Sequence, residues 1–192
     1  MARPREFDVD KTMDRVLSTF WEHGYEATSV DDICDASGLS KSSLYATFGD
    51  KRDLLLRSLE RYIDIPIGHI RELLAGPEPV LEKLERLARQ IIEDVVAGPG
   101  RRGCFIGNCA AELPRDDPEA MALVRRGMQT MEGLFRDSLL LTSGGTVPTK
   151  ADADAIARFL VAGFQGLRIV GKNNPDREVL MDIVNVMLRC VA

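Results

Sequence analysis

The chain has 192 residues, 45% of them apolar and 29% charged, with a formal charge of −5. That composition excludes a disordered chain and allows a sizeable core, in one compact domain or two small ones packed closely together. Four cysteines without zinc-ribbon spacing and two distant histidines exclude an evident metal centre, and no apolar run is long enough to span a membrane.

Residues 1 to 7 read as an arm with Arg3 and Arg5, which either reaches a minor groove or stays disordered. Asp8 and Asp10 place negative charge at the start of a first helix, where the macrodipole favours it. Met13, Val16, Leu17 and Phe20 follow at i, i+3, i+4 and i+7, and the helix ends near Gly24. Trp21 and Tyr25 extend its apolar stripe and fasten it to what comes next.

The stretch Thr28 to Lys51 predicts two short helices joined by a tight turn. Ser29 stands at an N-cap with Asp32 three residues on, a capping-box arrangement. Ile33 and Ala36 face inward, and Gly38 ends the helix. Ser40 caps the second helix, whose Leu44 and Phe48 point into the core. Ser42 and Ala46 then face outward, flanked by Ser43 and Tyr45. Serine is a mediocre helix former and lysine opposes the N-terminal dipole, so a first turn of Lys41-Ser42-Ser43 costs helix stability. Free amides, hydroxyls and a cation at a helix start suit a phosphate backbone. The pattern fits a helix-turn-helix offering its second helix to DNA, or a solvated surface helix in a bundle. Residues 1 to 62 hold nine Lys/Arg against twelve Asp/Glu, which predicts modest electrostatic steering.

Gly49 breaks the chain and Asp50 caps a long helix through Leu54, Leu55, Leu59, Tyr62 and Ile63, bent or stopped at Pro66. It resumes through Ile70 and Leu74 to Gly76-Pro77. Pro77 or Pro79 opens the next helix, with Leu81, Leu84, Leu87, Ala88, Ile91, Ile92 and Val95 on one face. A loop at 98–103 precedes a short helix from Cys104 to Leu113, on which Cys104, Asn108 and Glu112 form one line. These polar groups are either the wall of a ligand pocket or an internally satisfied set. Asp116-Asp117-Pro118 starts a helix whose Met121, Val124, Met128, Met131 and Phe135 make an adaptable apolar stripe. Leu140 to Pro148 reads as a flexible loop. Thr149 with Asp152 caps a helix containing Gly163 and Gly166, each costing about 1 kcal/mol against alanine unless another helix approaches closely. After the turn at 172–175, the last helix has an apolar face too wide for one subunit to cover.

Phe20-Trp21-Glu22-His23-Gly24-Tyr25-Glu26-Ala27-Thr28-Ser29, Gly38-Leu39-Ser40, Ser43-Leu44-Tyr45 and Phe48-Gly49-Asp50-Lys51 resemble the N-terminal signature of the tetracycline-repressor-like (TetR) transcriptional regulators. The resemblance runs in register from about Asp8 to Tyr62. That family often has an aromatic or histidine where Thr47 stands and alanine where Cys34 stands. The segment from Gly103 to Asn108 is similar to one branch of it.

The resemblance implies an all-α protein of about nine helices, with a helix-turn-helix DNA-binding domain at 1–48 and an effector-binding and dimerisation domain at 49–192. It also implies a homodimer on a palindromic operator, released by a small-molecule effector, with no enzyme activity and no cofactor. Within that frame Thr28, Ser29, Tyr45 and Lys51 are expected to hold phosphates. Lys41, Ser42, Ser43 and Ala46 face base edges, beside Ser40 and Thr47. The effector is placed against Cys104, Phe105, Asn108, Cys109, Glu112, Met128, Met131, Phe135 and Phe164. The two-fold four-helix interface is assigned to Phe159, Gly163, Gly166, Leu167, Val179, Ile183, Val184 and Met187. A variant makes Cys104 or Cys109 a sensor of electrophiles or oxidants. An enzyme is disfavoured because His23 and His69 stand alone and no phosphate-cradling glycine loop occurs. With no secretory leader, a reducing cytoplasmic location is expected.

Overall fold

A computed structural model describes residues 7–141 and 150–191. Arg3, Arg5 and the Thr149 cap, with most of the 140–148 loop, lie outside the described residues. The helices are α1 (Val9–His23), α2 (Val30–Ser37), α3 (Lys41–Phe48), α4 (Lys51–Asp64), α5 (Pro66–Leu74), α6 (Val80–Ala97), α7 (Phe105–Glu112), α8 (Pro118–Leu140), α9 (Lys150–Asn173) and α10 (Arg177–Arg189). A 3-10 turn, Pro99–Arg102, precedes α7. Among the described residues the fold is all-α: α4 and α5 are halves of one helix bent at Pro66, and taking them together gives the nine expected. No helix among the described residues is long and apolar enough to cross a membrane.

The boundaries follow from side-chain chemistry. Asp8, Ser29, Ser40, Asp50, Asp117 and Asp176 each stand at an N-cap and accept a first-turn amide, satisfying N–H groups that have no partner within the helix. Ser29 with Asp32 and Asp50 with Asp53 complete reciprocal capping boxes. Lys83 is buried, yet its ammonium group is satisfied by the carbonyls of Leu74 (2.9 Å) and Gly76 (3.2 Å), so it closes the C-terminus of α5. In α2 the second buried position is Ser37 rather than Ala36. Its hydroxyl donates to Cys34 O and accepts from Leu39 N, so a polar residue enters the core with its bonds made.

Burial follows the predicted faces in two apolar clusters. One joins Met13, Val16, Phe20, Ile33, Leu44 and Phe48 to Leu54, Leu59 and Ile63 of α4, and continues through Phe105, Ile106 and Cys109 of α7 to Val124 of α8. The other collects Leu84, Ala88, Ile92 and Val95 of α6 with Phe135, Leu160, Phe164, Leu167, Leu180 and Val184. Gly127 allows α7 and α8 to approach closely, because a Cβ there would stand 2.1 Å from Ile106 Cδ1. Gly163 admits another helix as expected, but that helix is α10 of the same chain. Met187 Sδ occupies the space 2.6 Å from a would-be Cβ.

Candidate nucleic-acid interface and the cleft behind it

α2 and α3 are fixed from beneath by Ile33, Leu44 and Phe48, all buried, and joined through Gly38 at φ 73°. This leaves Lys41, Ser42, Ser43, Tyr45 and Ala46 exposed on α3, with Thr47 half-buried at its edge. α3 contains one cation and no acid, unlike the helices around it. Ser40 Oγ accepts from Ser43 N at 3.2 Å and lies 3.0 Å from the hydroxyls of Ser42 and Ser43, giving a serine cluster at the helix start. Lys41 Nζ lies 5.9 Å from the Tyr45 ring centroid, and Lys51 Nζ sits 4.4 Å over the Tyr25 ring. Each ring holds a cation at the surface without neutralising it. Thr28 is a correction: it is buried and its hydroxyl donates to Gly24 O at 2.5 Å, so it braces the turn before α2 and faces no phosphate. Ser29 is exposed, with its hydroxyl donating to the Asp32 carboxylate at 2.7 Å. That bond holds the Asp32 carboxyl below its ordinary range.

Behind this unit the α4–α5 bend, α6, the 3-10 turn and α9 enclose a cleft of about 520 Å³, within the 300–1,000 Å³ usual for ligand sites. Its wall includes Trp21, Tyr62, His69, Ile70, Leu87, Gln90, Asp94, Arg102 and Arg168. A narrow inner lobe of about 20 Å³ shares Tyr62, Ile70, Leu87, Ile91 and Arg168 with it and ends on Cys104, Met131, Phe135, Phe164 and Gln165. Four of the nine residues expected to meet an effector therefore gather at one place: Cys104, Met131, Phe135 and Phe164. Met128 is one shell back, its sulfur accepting from Gln165 Nε2 at 3.7 Å.

The other four are corrected. Phe105 is buried against Tyr62, with ring centroids 5.7 Å apart. Cys109 is buried away from both lobes, and burial, reinforced by the charge of Glu112, pushes its thiol up to about 12. Asn108 Nδ2 donates to Arg102 O at 2.7 Å and so braces the 3-10 turn. Glu112 accepts from Glu26 N at 2.7 Å. The line Cys104–Asn108–Glu112 divides its contacts because Cys104, at the start of α7, reaches the inner lobe, while Glu112, at its end, meets the turn after α1.

That position makes α7 and the turn before it a bridge. Trp21 Nε1 donates to Gly103 O at 3.1 Å, the Arg102 guanidinium lies 4.0 Å over the Trp21 ring, and Arg102 donates to Ser18 Oγ at 3.0 Å. Trp21 also meets Tyr62 edge-on at 5.0 Å. Farther along, Arg52 at the start of α4 makes a two-pronged pair with Asp117, whose carboxyl is held down at about 2 by the hydrogen bonds from Arg52.

On the far side, Phe159, Val179 and Val186 are exposed, and a shallow apolar groove runs between α9 and α10 past Phe159, Gly163, Ile183 and Val186. Gly166 has open space beside it. Leu167 and Val184, grouped with these residues on periodicity, turn instead into the chain's own core because α10 packs back on α6 and α9, and Met187 lies between that core and the groove floor.

Residues 14–57 match the family model described as bacterial regulatory proteins, tetR family, and residues 80–185 match the tetracyclin repressor-like C-terminal domain. The chain belongs to the TetR family. Over 190 residues it is 32% identical to the transcriptional repressor ComR of Escherichia coli, covering 98% of this chain and 90% of that one. It is 30% identical to the regulator YezE of Bacillus subtilis over 190 residues, 98% of each chain. Among solved structures it resembles a cysteine variant of the TetR-family regulator CifR complexed with 26-base-pair operator DNA. That likeness has a TM-score of 0.85 and 26% identity, over 97% of this chain and 98% of that one. As a TetR-family protein the chain is a helix-turn-helix, DNA-binding transcriptional regulator and not an enzyme.

Sequence reasoning passed over several of this regulator's cleft residues: His69, Gln90, Asp94, Arg102, Gln165 and Arg168. Each sits on the polar side of an amphipathic helix or in a loop, where a solvated surface is the ordinary expectation. Two arginines and a histidine against one acid in a single concavity was the available signal, but it needed the α5–α6–α9 arrangement to become visible.

Proposed function

We propose that this regulator is a cytoplasmic homodimeric repressor that presents α3 of each subunit to successive major grooves of a near-palindromic operator. Residues 1–48 form its reading unit, and residues 49–192 receive a small-molecule effector and pair the subunits. The single observation that carries this reading is the exposed, acid-free face of α3, set in a chain-long likeness to an operator-bound regulator. Lys41, Ser42, Ser43 and Ala46 face base edges; Ser29, Tyr45 and Lys51 hold phosphates; Ser40 and Thr47 border them. Pairing through α9 and α10 is supported by the exposed Phe159, Val179 and Val186 beside the α9–α10 groove.

The effector is assigned to the cleft because Trp21 of α1 forms part of its wall, so an occupant touches the DNA-reading half directly. Release requires that the effector bind the arrangement with unsuitable α3 spacing more tightly than the DNA-bound one. The test starts from an operator selected by the protein out of random duplexes. Lys41→Ala and Tyr45→Phe should weaken binding, with Lys41→Ala lowering the salt slope by about 2 for a dimer that loses one cation from the DNA surface on each side. Unchanged affinity and slope in both variants would refute the assignment of α3.

A second reading concerns Cys104 alone, whose sulfur ends the inner lobe and accepts from Gln165 Nε2 at 3.2 Å and from Tyr62 Oη at 3.6 Å. Modification of that thiol by an electrophile would remove both bonds at the cleft floor. Operator release by an alkylating agent, abolished in Cys104→Ser, is its signature.

A further inference from the structure

The charge inside the cleft opposes the charge of the whole protein. A chain carrying −5 lines this concavity with Arg102 and Arg168 against one carboxylate, Asp94. Arg168 is half-buried, borders both lobes and makes no hydrogen bond or ion pair among the described residues. Arg102 Nε is buried and also without a hydrogen-bond partner. Arg102 is otherwise held by Ser18 and the Trp21 ring, whereas the half-buried Arg168 guanidinium keeps all its donors free for an anion. The rest of the wall is apolar or aromatic: Trp21, Tyr62, Ile70 and Leu87 surround the cationic edge.

We propose that the cleft takes a small organic acid, with its carboxylate on Arg168 and an aromatic or branched apolar body against Trp21 and Tyr62. The planar guanidinium offers paired donors that match a carboxylate in geometry as well as charge. Asp94 stands in the same cavity as a single acid, which disfavours polyanions and leaves an acceptor for a ligand hydroxyl. This assignment rests on the effector reading of the cleft and specifies the chemistry that fills it.

Trp21 is the sole tryptophan of the chain and part of the cleft wall, so its fluorescence reports binding without DNA. The purified protein is titrated with phenylacetate and 1-naphthoate, and in parallel with the matching neutral amides. At least one acid should shift or quench the emission saturably, at a concentration about tenfold or more below its amide, the difference expected for a charge-assisted pair. Arg168→Gln should bring acid and amide to within about twofold of each other. Arg158→Gln, on the same helix but paired outside the cleft with Glu132, should keep the preference. Equal binding of acid and amide to the unaltered protein, preserved acid preference in Arg168→Gln, or no saturable response to either acid at millimolar concentration would each overturn the proposal. Operator release is read in the same titrations. An Arg168-dependent acid that binds without releasing DNA defeats the effector reading and leaves the ligand class standing; an amide that releases DNA as well as its acid does the reverse.

Discussion

Two glycines frame the reading helix, and substituting each should cost differently for reasons visible in the backbone. Gly38, before α3, has φ 73° and ψ 16°, and a Cβ placed there would meet nothing within 4 Å. Gly38→Ala therefore carries only the left-handed penalty, about 1 to 2 kcal/mol. Gly38→Asn should recover most of that loss, because asparagine tolerates this region. Gly49, after α3, has φ 90° and ψ −153°, a region essentially restricted to glycine and costing other residues about 1 to 3 kcal/mol. A Cβ at position 49 would also lie 2.0 Å from Asp53 Oδ2, the atom that accepts from Asp50 N and closes the α4 capping box. Displacing it adds a lost cap of about 1 kcal/mol.

At about 3 °C per kcal/mol for a chain of this size, Gly38→Ala should lower Tm by about 3 to 6 °C and Gly49→Ala by about 6 to 12 °C. Gly49→Asn should fare no better than Gly49→Ala. Circular-dichroism melts of the four variants decide the matter, with operator affinity measured at a temperature where all are folded. A fully stable Gly49→Asn, or equal losses for alanine at both positions, would refute the reasoning.

The Arg52–Asp117 pair predicts an acid dependence. A carboxyl held at about 2 in the folded protein, against 3.8 ordinarily, stabilises above its unfolded value, and that contribution fades as pH falls from about 4 to 2. Solvent at Arg52 screens the pair and keeps the effect small, and Asp117→Asn should lose less stability than the unaltered protein between pH 5 and 2 in urea titrations. Native thiol titration at pH 8 should label exposed Cys190 first and leave Cys109 unreacted until unfolding, since about one part in ten thousand of a thiol at 12 is ionised; prompt labelling of Cys109 contradicts its placement. Val186→Glu, on a side chain 52% exposed, should convert the protein to monomers in sedimentation with less than about 1 kcal/mol lost from the fold. A dimer that persists places the pairing surface elsewhere.

The family, the helix order and the reading helix were legible in the chain itself, because each rests on local chemistry. Serine and aspartate satisfy helix-start amides, glycine permits the turns, and Leu44 with Phe48 fixes which side of α3 faces outward. None of this depends on distant residues. Periodicity likewise identified apolar faces, but it cannot say which neighbour covers them. Leu167 and Val184 looked like a partner's surface until α10 was seen folded against α6 and α9. Asn108 and Glu112 read equally as a ligand wall or as internally satisfied groups, and they hold Arg102 O and Glu26 N. Thr28 read as a phosphate contact, yet its hydroxyl closes on Gly24. The cleft is the clearest product of tertiary structure. Its cationic members, Arg102 and Arg168, are far apart in sequence and individually ordinary; only the meeting of the α4–α5 bend, α6, the 3-10 turn and α9 turns them into one cationic edge beside Trp21. Local bonding determined the helices and the turn between α2 and α3, while the long-range packing of apolar faces decided which polar side chains were left facing a common space.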